Sequence, residues 1–135
     1  FSILMIDIDY FKSINDKFGH LIGDQHLIIV SQIMRNTCRS IDSIGRWGGE
    51  EFLIICPETD EEGATFLANK LLKAVQNYLF KPDQEITFSI GITHYQPFDT
   101  VDSLVLRADK ALYLAKYNGR NRSQVFNVLF NPIVD

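Results

Sequence analysis

Two acidic motifs, far apart in the chain, carry the residue types that divalent-cation chemistry needs. Asp7 and Asp9 close the apolar run FSILMIDID (residues 1–9), and Glu50 and Glu51 open the apolar run EEFLIIC (50–56) directly after Gly48 and Gly49. If the two runs are neighbouring strands, Asp7 and Glu50 converge at one end of one sheet. Two unpaired carboxylates there repel, and each resists ionising. A divalent cation removes the conflict. Hard carboxylate oxygens suit Mg²⁺ or Mn²⁺, with room left for water and phosphate oxygens. The glycines lack a Cβ, so a ligand can approach the backbone closely. For either motif alone, solvated surface charge is an equally good account. The two together, within one order of elements, favour the cation.

Residues suited to phosphate lie beside the acids. DIDYFKSIND (7–16) sets the N–H groups of a helix start directly behind the acidic strand end, a favourable place for phosphate oxygens. Lys12 falls in that first turn, where a cation is unfavourable for the helix dipole unless an anion sits nearby; the alternative is a solvated lysine. AKYNGRNR (115–122) gathers Lys116, Arg120 and Arg122. Arginine grips phosphate by forked contacts. Lys116 also falls in a last helical turn, where a cation is favourable without any ligand.

The elements that must position these groups can be read in order. FSILMIDID reads as a buried strand, and YFKSINDKFG (10–19) as a short helix ended by Gly19. A second helix, from about 22 to 39, carries Leu27, Val30, Met34 and Cys38 at helical spacing. IDSIGRW (41–47) and EEFLIICP (50–57) read as two strands joined by Gly48-Gly49, a two-residue link suited to a tight primed turn with positive φ. Thr59 with Glu62 resembles a capping box ahead of a helix with Ala64, Leu67, Leu71 and Val75 inward. Pro82 lies in a loop, and EITFSIGITHY (85–95) alternates as a strand. Thr100 or Asp102 caps a last helix, with Leu104, Ala108, Leu112 and Ala115 inward and Gly119 at its end. SQVFNVLF (123–130) is a final strand. The order β-α-α-β-β-α-β-α-β points to an α+β domain with one mostly antiparallel sheet.

The length of 135 residues suits one compact domain, and 46% hydrophobic residues suffice for its core. A net charge of −4 argues against a nucleic-acid partner, which calls for a basic face. Cys38 and Cys56 lack metal-type spacing and read as reduced packing residues. No apolar run approaches the ~20 residues a bilayer span needs, so no membrane contact is expected of this domain. No signal peptide is seen. Phe1 falls directly inside a strand pattern, so the chain reads as a piece of something longer.

In four blocks the sequence resembles the GGDEF-domain diguanylate cyclases, in the variant with Glu at the third motif position. The blocks are DIDYFKSINDKFGHLIGD (7–24), RSIDSIGRWGGEEF (39–52), SIGIT (89–93) and RADKALYLAKYNGRNR (107–122). The resemblance implies a palm-like nucleotide-cyclase fold over residues 1–126, with a five-stranded sheet flanked by helices and a tail at 127–135. It implies that two GTP molecules, one on each of two facing domains, condense to cyclic di-GMP and two pyrophosphates. Turnover then requires a homodimer. By position, Asp7, the carbonyl of Ile8 and Glu50 would ligate two Mg²⁺ or Mn²⁺ ions per half-site, with Glu51 as a supporting acid and Asp9 behind the ligands. Glu50 would also help deprotonate the ribose 3′-OH. Phe11 and Lys12 would hold phosphates, Lys116 and Arg120 would clamp the triphosphate, Asn15 and Asp24 would read guanine, and Gly48 and Gly49 would leave space for the nucleotide. A helix N-cap is the other reading of Asp24.

The resemblance also implies a second site. Arg39-Ser-Ile-Asp42 matches the family's inhibitory Arg-x-x-Asp motif, where cyclic di-GMP would brake its own synthesis, and Lys70 falls where the family often has a second arginine. The alternative is an i,i+3 ion pair at a helix end. His20 is expected to orient a loop, and Trp47 to pack beside the hairpin. The family's leading Asp-x-Leu-Thr-Gly-Leu-x-Asn-Arg segment is not in this sequence, which reads as truncated at its start. Signals of this type are made in the cytoplasm, the compartment the resemblance implies, whether or not a parent protein is membrane-anchored. The competing function is a non-catalytic receptor for GTP or cyclic di-GMP, but such relatives normally lose the hairpin acids kept here.

Overall fold

The computed structural model describes residues 1–82 and 84–127. The elements in chain order are β1 (Ser2–Ile8), α1 (Phe11–Phe18), α2 (His20–Thr37), β2 (Ser43–Arg46), β3 (Glu51–Cys56), α3 (Glu61–Asn77), β4 (Phe88–His94), α4 (Val101–Tyr117) and β5 (Arg122–Val125). This is the expected α+β order. The strands form one sheet, β2-β3-β1-β4-β5, antiparallel throughout except for the parallel β4–β5 pair.

Central β1 is buried along all its residues because helices cover both faces. Alternation sorts its side chains. Leu4, Ile6 and Ile8 join Phe11 of α1, Leu27, Val30 and Met34 of α2, and Leu67, Leu71 and Val75 of α3 in the larger core. Ile3 and Met5 point the other way, to Leu104, Ala108 and Leu112 of α4. Asp7 follows the second set by parity, so the alternation that buries Ile3 and Met5 aims a carboxylate at α4.

α4 can approach because β4 carries Gly91 beneath it. A Cβ on Gly91 would lie 2.3 Å from the Ala108 carbonyl oxygen and 2.4 Å from the Leu112 nitrogen. The helix backbone therefore rests on the strand. Its start is fixed by a capping box: the Thr100 hydroxyl accepts from the Ser103 N–H at 3.1 Å, and the Thr100 N–H donates to Ser103 Oγ at 2.9 Å. Behind the cap, Arg107 forks onto Asp99 and donates to the His94 carbonyl. The guanidinium holds the Asp99 carboxyl far below the usual carboxylate range.

Several local expectations are corrected. Asp60, not Thr59, caps α3, accepting from the Gly63 N–H at 2.8 Å. Thr59 is drawn away by Arg39, whose guanidinium donates to its hydroxyl at 2.6 Å, while that hydroxyl donates to the Pro57 carbonyl. The hairpin does not turn on two positive-φ glycines. Neither Gly48 nor Gly49 has positive φ, and the reversal takes in Glu50 as well, closed by the Trp47 N–H on the Glu51 carbonyl at 2.8 Å. The Arg46 guanidinium holds the wider loop by donating to the Gly48 and Gly49 carbonyls. Trp47 is half-exposed instead of packed. The second helix runs two residues earlier than expected, from the exposed His20 after Gly19 at φ 89°. Both cysteines are free, and burial pushes their thiols up to about 11 for Cys38 and about 12 for Cys56. Of the expected last strand, residues 123–125 form β5 together with Arg122, 126 and 127 are not strand, and 128–130 lie outside the described residues.

Candidate functional site

The acidic motifs meet. In the β1–β3 register Asp7 lies opposite Glu51, and the Ile8 N–H donates to the Glu50 carbonyl at 3.3 Å. Asp7 is 6% exposed. Its Oδ2 accepts from the Lys116 ammonium, and its Oδ1, also buried, has no partner among the described residues. Burial is the main force raising the Asp7 carboxyl above its ordinary range. The Lys116 hydrogen bond and charge oppose this, and the charges of Glu50 and Asp9 add to it. Glu51 is raised as well, first by burial, then by the charge of Asp7, with Lys116 opposing and Asp109 and Glu50 adding. Asp109 is raised by burial against the pull of Lys116.

Asp7, Glu51 and Asp109 thus share the field of one lysine. Added positive charge suits such a cluster, and the orphaned Asp7 Oδ1 is an acceptor awaiting it. The residues fit a divalent cation. Among the described residues no three or more His, Cys, Asp or Glu side chains are gathered tightly enough to hold an ion by themselves. A cation here would lean on backbone carbonyls, water and ligand phosphates, the usual habit of Mg²⁺. Lys116, expected on a triphosphate, rests on Asp7 in this structure. Asp109 escaped the sequence reading, although it lies two turns before Lys116 on the same helix face.

Asp9 organises the surroundings. It is 5% exposed and accepts from Thr87 Oγ1 and Ser89 Oγ, each at 2.6 Å, and from the Asn121 N–H at 3.0 Å. One carboxylate therefore ties the end of β1 to the approach to β4 and to the loop carrying Arg120. Phe11 and Lys12 open α1 beside it, Phe11 buried and Lys12 exposed, and no side chain caps that helix start.

Asn15 of α1 lies against Gly23 of α2, the residue before Asp24. Asp24 is the fifth residue of α2 and exposed; Gly19 occupies the N-cap, so the capping alternative for Asp24 falls. A Cβ on Gly23 would lie 1.8 Å from Asn15 Oδ1. Only glycine there lets Asn15 lie against α2. Asn15 Oδ1 is itself buried, with no partner among the described residues.

The second motif lies elsewhere. Arg39 pairs with Asp42, Nη2 to Oδ1 at 2.9 Å, and also donates to the Pro57 carbonyl. Arg39 and Lys70 share the wall of an open cavity of about 570 Å³ with Phe66, Thr59 and His94, and Asp42 is not in that wall. The cavity borders Phe1, at the start of β1. Asp7 is near the other end of that strand, roughly 20 Å from Phe1 at ~3.3 Å per residue. His26 is buried on α2 and bonded through Nε2 to Gln84 Oε1 at 2.8 Å.

An acid end, a guanidinium loop and an open hairpin on a five-stranded palm-like sheet define a nucleotide-cyclase type of domain. The family model "Diguanylate cyclase, GGDEF domain" matches residues 1–122. The chain is 43% identical over 125 residues to Diguanylate cyclase A of Treponema denticola, covering 90% of this chain and 34% of that protein. Among solved structures, the active GGEEF domain of a diguanylate cyclase from Vibrio cholerae superposes with a TM-score of 0.88 at 34% identity, covering 93% of this chain and 82% of that one. The GGDEF domain of DgcB from Caulobacter crescentus, in complex with c-di-GMP, gives 0.87 at 31% identity over 92% of this chain and 76% of that one. The chain belongs to the GGDEF-domain diguanylate cyclase family. It spans about a third of the length of the curated relatives it matches. Among the described residues no helix is long and apolar enough to cross a membrane.

Proposed function

We propose that residues 1–126 form a GGEEF-type cyclase domain that condenses two GTP molecules to cyclic di-GMP and two pyrophosphates, with 127–135 as a tail beyond it. The observation that carries this reading is the buried Asp7, half-partnered by Lys116 and set against the glutamates of the hairpin.

Asp7, the Ile8 carbonyl, Glu50 and Glu51, with water and phosphate oxygens, would hold two Mg²⁺ or Mn²⁺ ions, which would offset the charge of the triphosphate and acidify the 3′-OH. The work of the chain is positioning and electrostatics. Glu50 accepts the 3′-OH proton as that oxygen forms a bond to the α-phosphorus and the bond to pyrophosphate breaks. The N–H groups at Phe11 and Lys12, the Lys12 side chain, Lys116 and Arg120 meet the phosphate charge. Gly48 and Gly49 keep side chains out of the nucleotide's path. Asn15 and Asp24 bind the guanine edge. Each domain holds one GTP, so a second copy must face it. The reaction belongs in the cytoplasm, where GTP is available.

Purified protein with GTP and Mg²⁺, followed by chromatography, tests the proposal. A cyclic dinucleotide with release of two pyrophosphates supports it. A dimeric protein that binds GTP without turnover would mean a receptor instead. Asp24→Ser should erode the preference for GTP over ATP. The carboxylate accepts from guanine N1–H and N2–H₂, donors that adenine lacks on that edge, and polar sites of this kind can discriminate by ~10⁴. Unchanged selectivity would remove Asp24 from the guanine site.

Cyclic di-GMP is also assigned to the cavity of Arg39 and Lys70 as inhibitor. Arg39 is a poor probe there, because it also holds the Pro57–Thr59 segment. Lys70 makes no such contact and lies over the Phe66 ring at 5.5 Å. Lys70→Ala should raise the product concentration for half-inhibition several-fold and leave the initial rate alone. Equal inhibition in both proteins would rule the cavity out.

A further inference from the structure

We propose that Tyr10 is a positioning residue that holds the Arg120 guanidinium in place for phosphate. This rests on the assignment of Arg120 as a triphosphate clamp and adds a residue outside the site residues named above.

The Arg120 backbone is fixed from several sides. Its N–H donates to the Ala115 carbonyl at 3.0 Å, its carbonyl accepts from Arg122 Nε at 3.1 Å, and the next N–H, of Asn121, is held by Asp9. Arg120 and Asn121 both adopt left-handed backbone, at φ 64° and 49°. Successive non-glycine residues there are unfavourable and persist only where the surroundings enforce them. These contacts fix where the side chain leaves the loop and leave its direction open.

The direction comes from Tyr10. Arg120 Cζ lies 4.8 Å from the centroid of the Tyr10 ring, within cation–π range. Among the described residues no carboxylate pairs with Arg120. Its charge therefore keeps all its N–H donors for an incoming anion, since a π face attracts the cation without consuming them. A carboxylate partner would compete with phosphate. Tyr10 itself sits at φ 58°, 64% exposed, between Asp9 and Phe11. A large aromatic residue in left-handed backbone, largely in water, gains little from its own burial, and the guanidinium over its face is the ring's observed contact. Arginine loses much rotamer freedom when it grips a ligand. Holding it beforehand lowers that cost.

The test compares wild type, Tyr10→Phe, Tyr10→Asn, Arg120→Ala and the double variant Tyr10→Asn/Arg120→Ala. Asparagine tolerates the left-handed region, so the backbone is preserved, and a thermal melt of each variant verifies the fold. Calorimetric titration with inorganic tripolyphosphate and Mg²⁺ reads binding, and initial rates give KM and kcat for GTP. Tyr10→Asn is expected to weaken tripolyphosphate binding roughly two- to five-fold and to raise KM with kcat nearly unchanged. Tyr10→Phe should match wild type, and Tyr10→Asn should add nothing once Arg120 is alanine. Tyr10→Asn behaving as wild type while Arg120→Ala binds weakly would overturn the proposal and leave the clamp standing. So would an equal loss on adding Tyr10→Asn to Arg120→Ala. Arg120→Ala binding as tightly as wild type would bring down the clamp and Tyr10's role together.

Discussion

Glu50→Gln is expected to reduce cyclic di-GMP formation by roughly 10³-fold or more, since in the proposed mechanism it removes both an acidic ligand and the acceptor of the 3′-OH proton. The fold should not suffer. The link from Glu50 to β1 runs through its backbone carbonyl, which accepts from the Ile8 N–H and which glutamine retains. The lost charge is one that disfavours ionisation of both Asp7 and Glu51, so the melting temperature should hold or rise slightly. Product chromatography at saturating GTP and Mg²⁺, paired with a thermal melt, checks both halves. A variant within tenfold of wild type would exclude Glu50 from the chemistry. The same cluster sets a pH dependence. Asp7 and Glu51 have raised carboxyl pKa values, and a protonated carboxyl cannot hold a cation. Activity should therefore decline as pH falls through a window above the ordinary carboxylate range. The stability of the metal-free protein runs the other way. A raised folded-state pKa costs stability once the group ionises, and that cost is relieved as pH drops towards the unfolded-state value.

Gly91→Ala should be the most damaging single-methyl substitution in the sheet. The new Cβ would meet the Ala108 oxygen at 2.3 Å and the Leu112 nitrogen at 2.4 Å. Both are backbone atoms of α4, so no side chain can swing aside and the helix must lift. Overpacking of this kind costs about 3 kcal/mol or more, on the order of a 10 °C fall in melting temperature for a domain of this size. Lifting α4 also withdraws Lys116 from Asp7, so activity should fall further than the folded fraction does. Gly45→Ala is the control: a Cβ there meets nothing within 4 Å. Equal melting temperatures for the two variants would show that α4 does not rest on Gly91.

The element order was legible because each strand and helix states its own period. The side to which Asp7 points was not legible, because β1 is apolar on both faces and only the packing of α4 on Ile3 and Met5 distinguishes them. What could not be read were properties of pairs distant in sequence. Gly23 looks like part of a helix start until Asn15 is seen lying against it, and Gly91 looks like a weak spot in a strand until α4 rests on it. Thr59 failed as a cap because Arg39, in the segment that follows α2, engages its hydroxyl. The Gly-Gly link suggested a tight turn, and Arg46 gripping both carbonyls produced a wider one. Asp9 and Asp7 belong to one motif, yet Asp9 is satisfied by Thr87, Ser89 and Asn121, while Asp7 keeps an oxygen free. No local pattern distinguishes them.

The two outer strands, Ser43–Arg46 and Arg122–Val125, are only four residues each. Ladders so short offer a stray chain little to template on, and each has an arginine at one end, a charge that discourages fibre growth. A domain proposed to act only when two copies meet can thus be crowded together in a cell without its sheets fusing edge to edge.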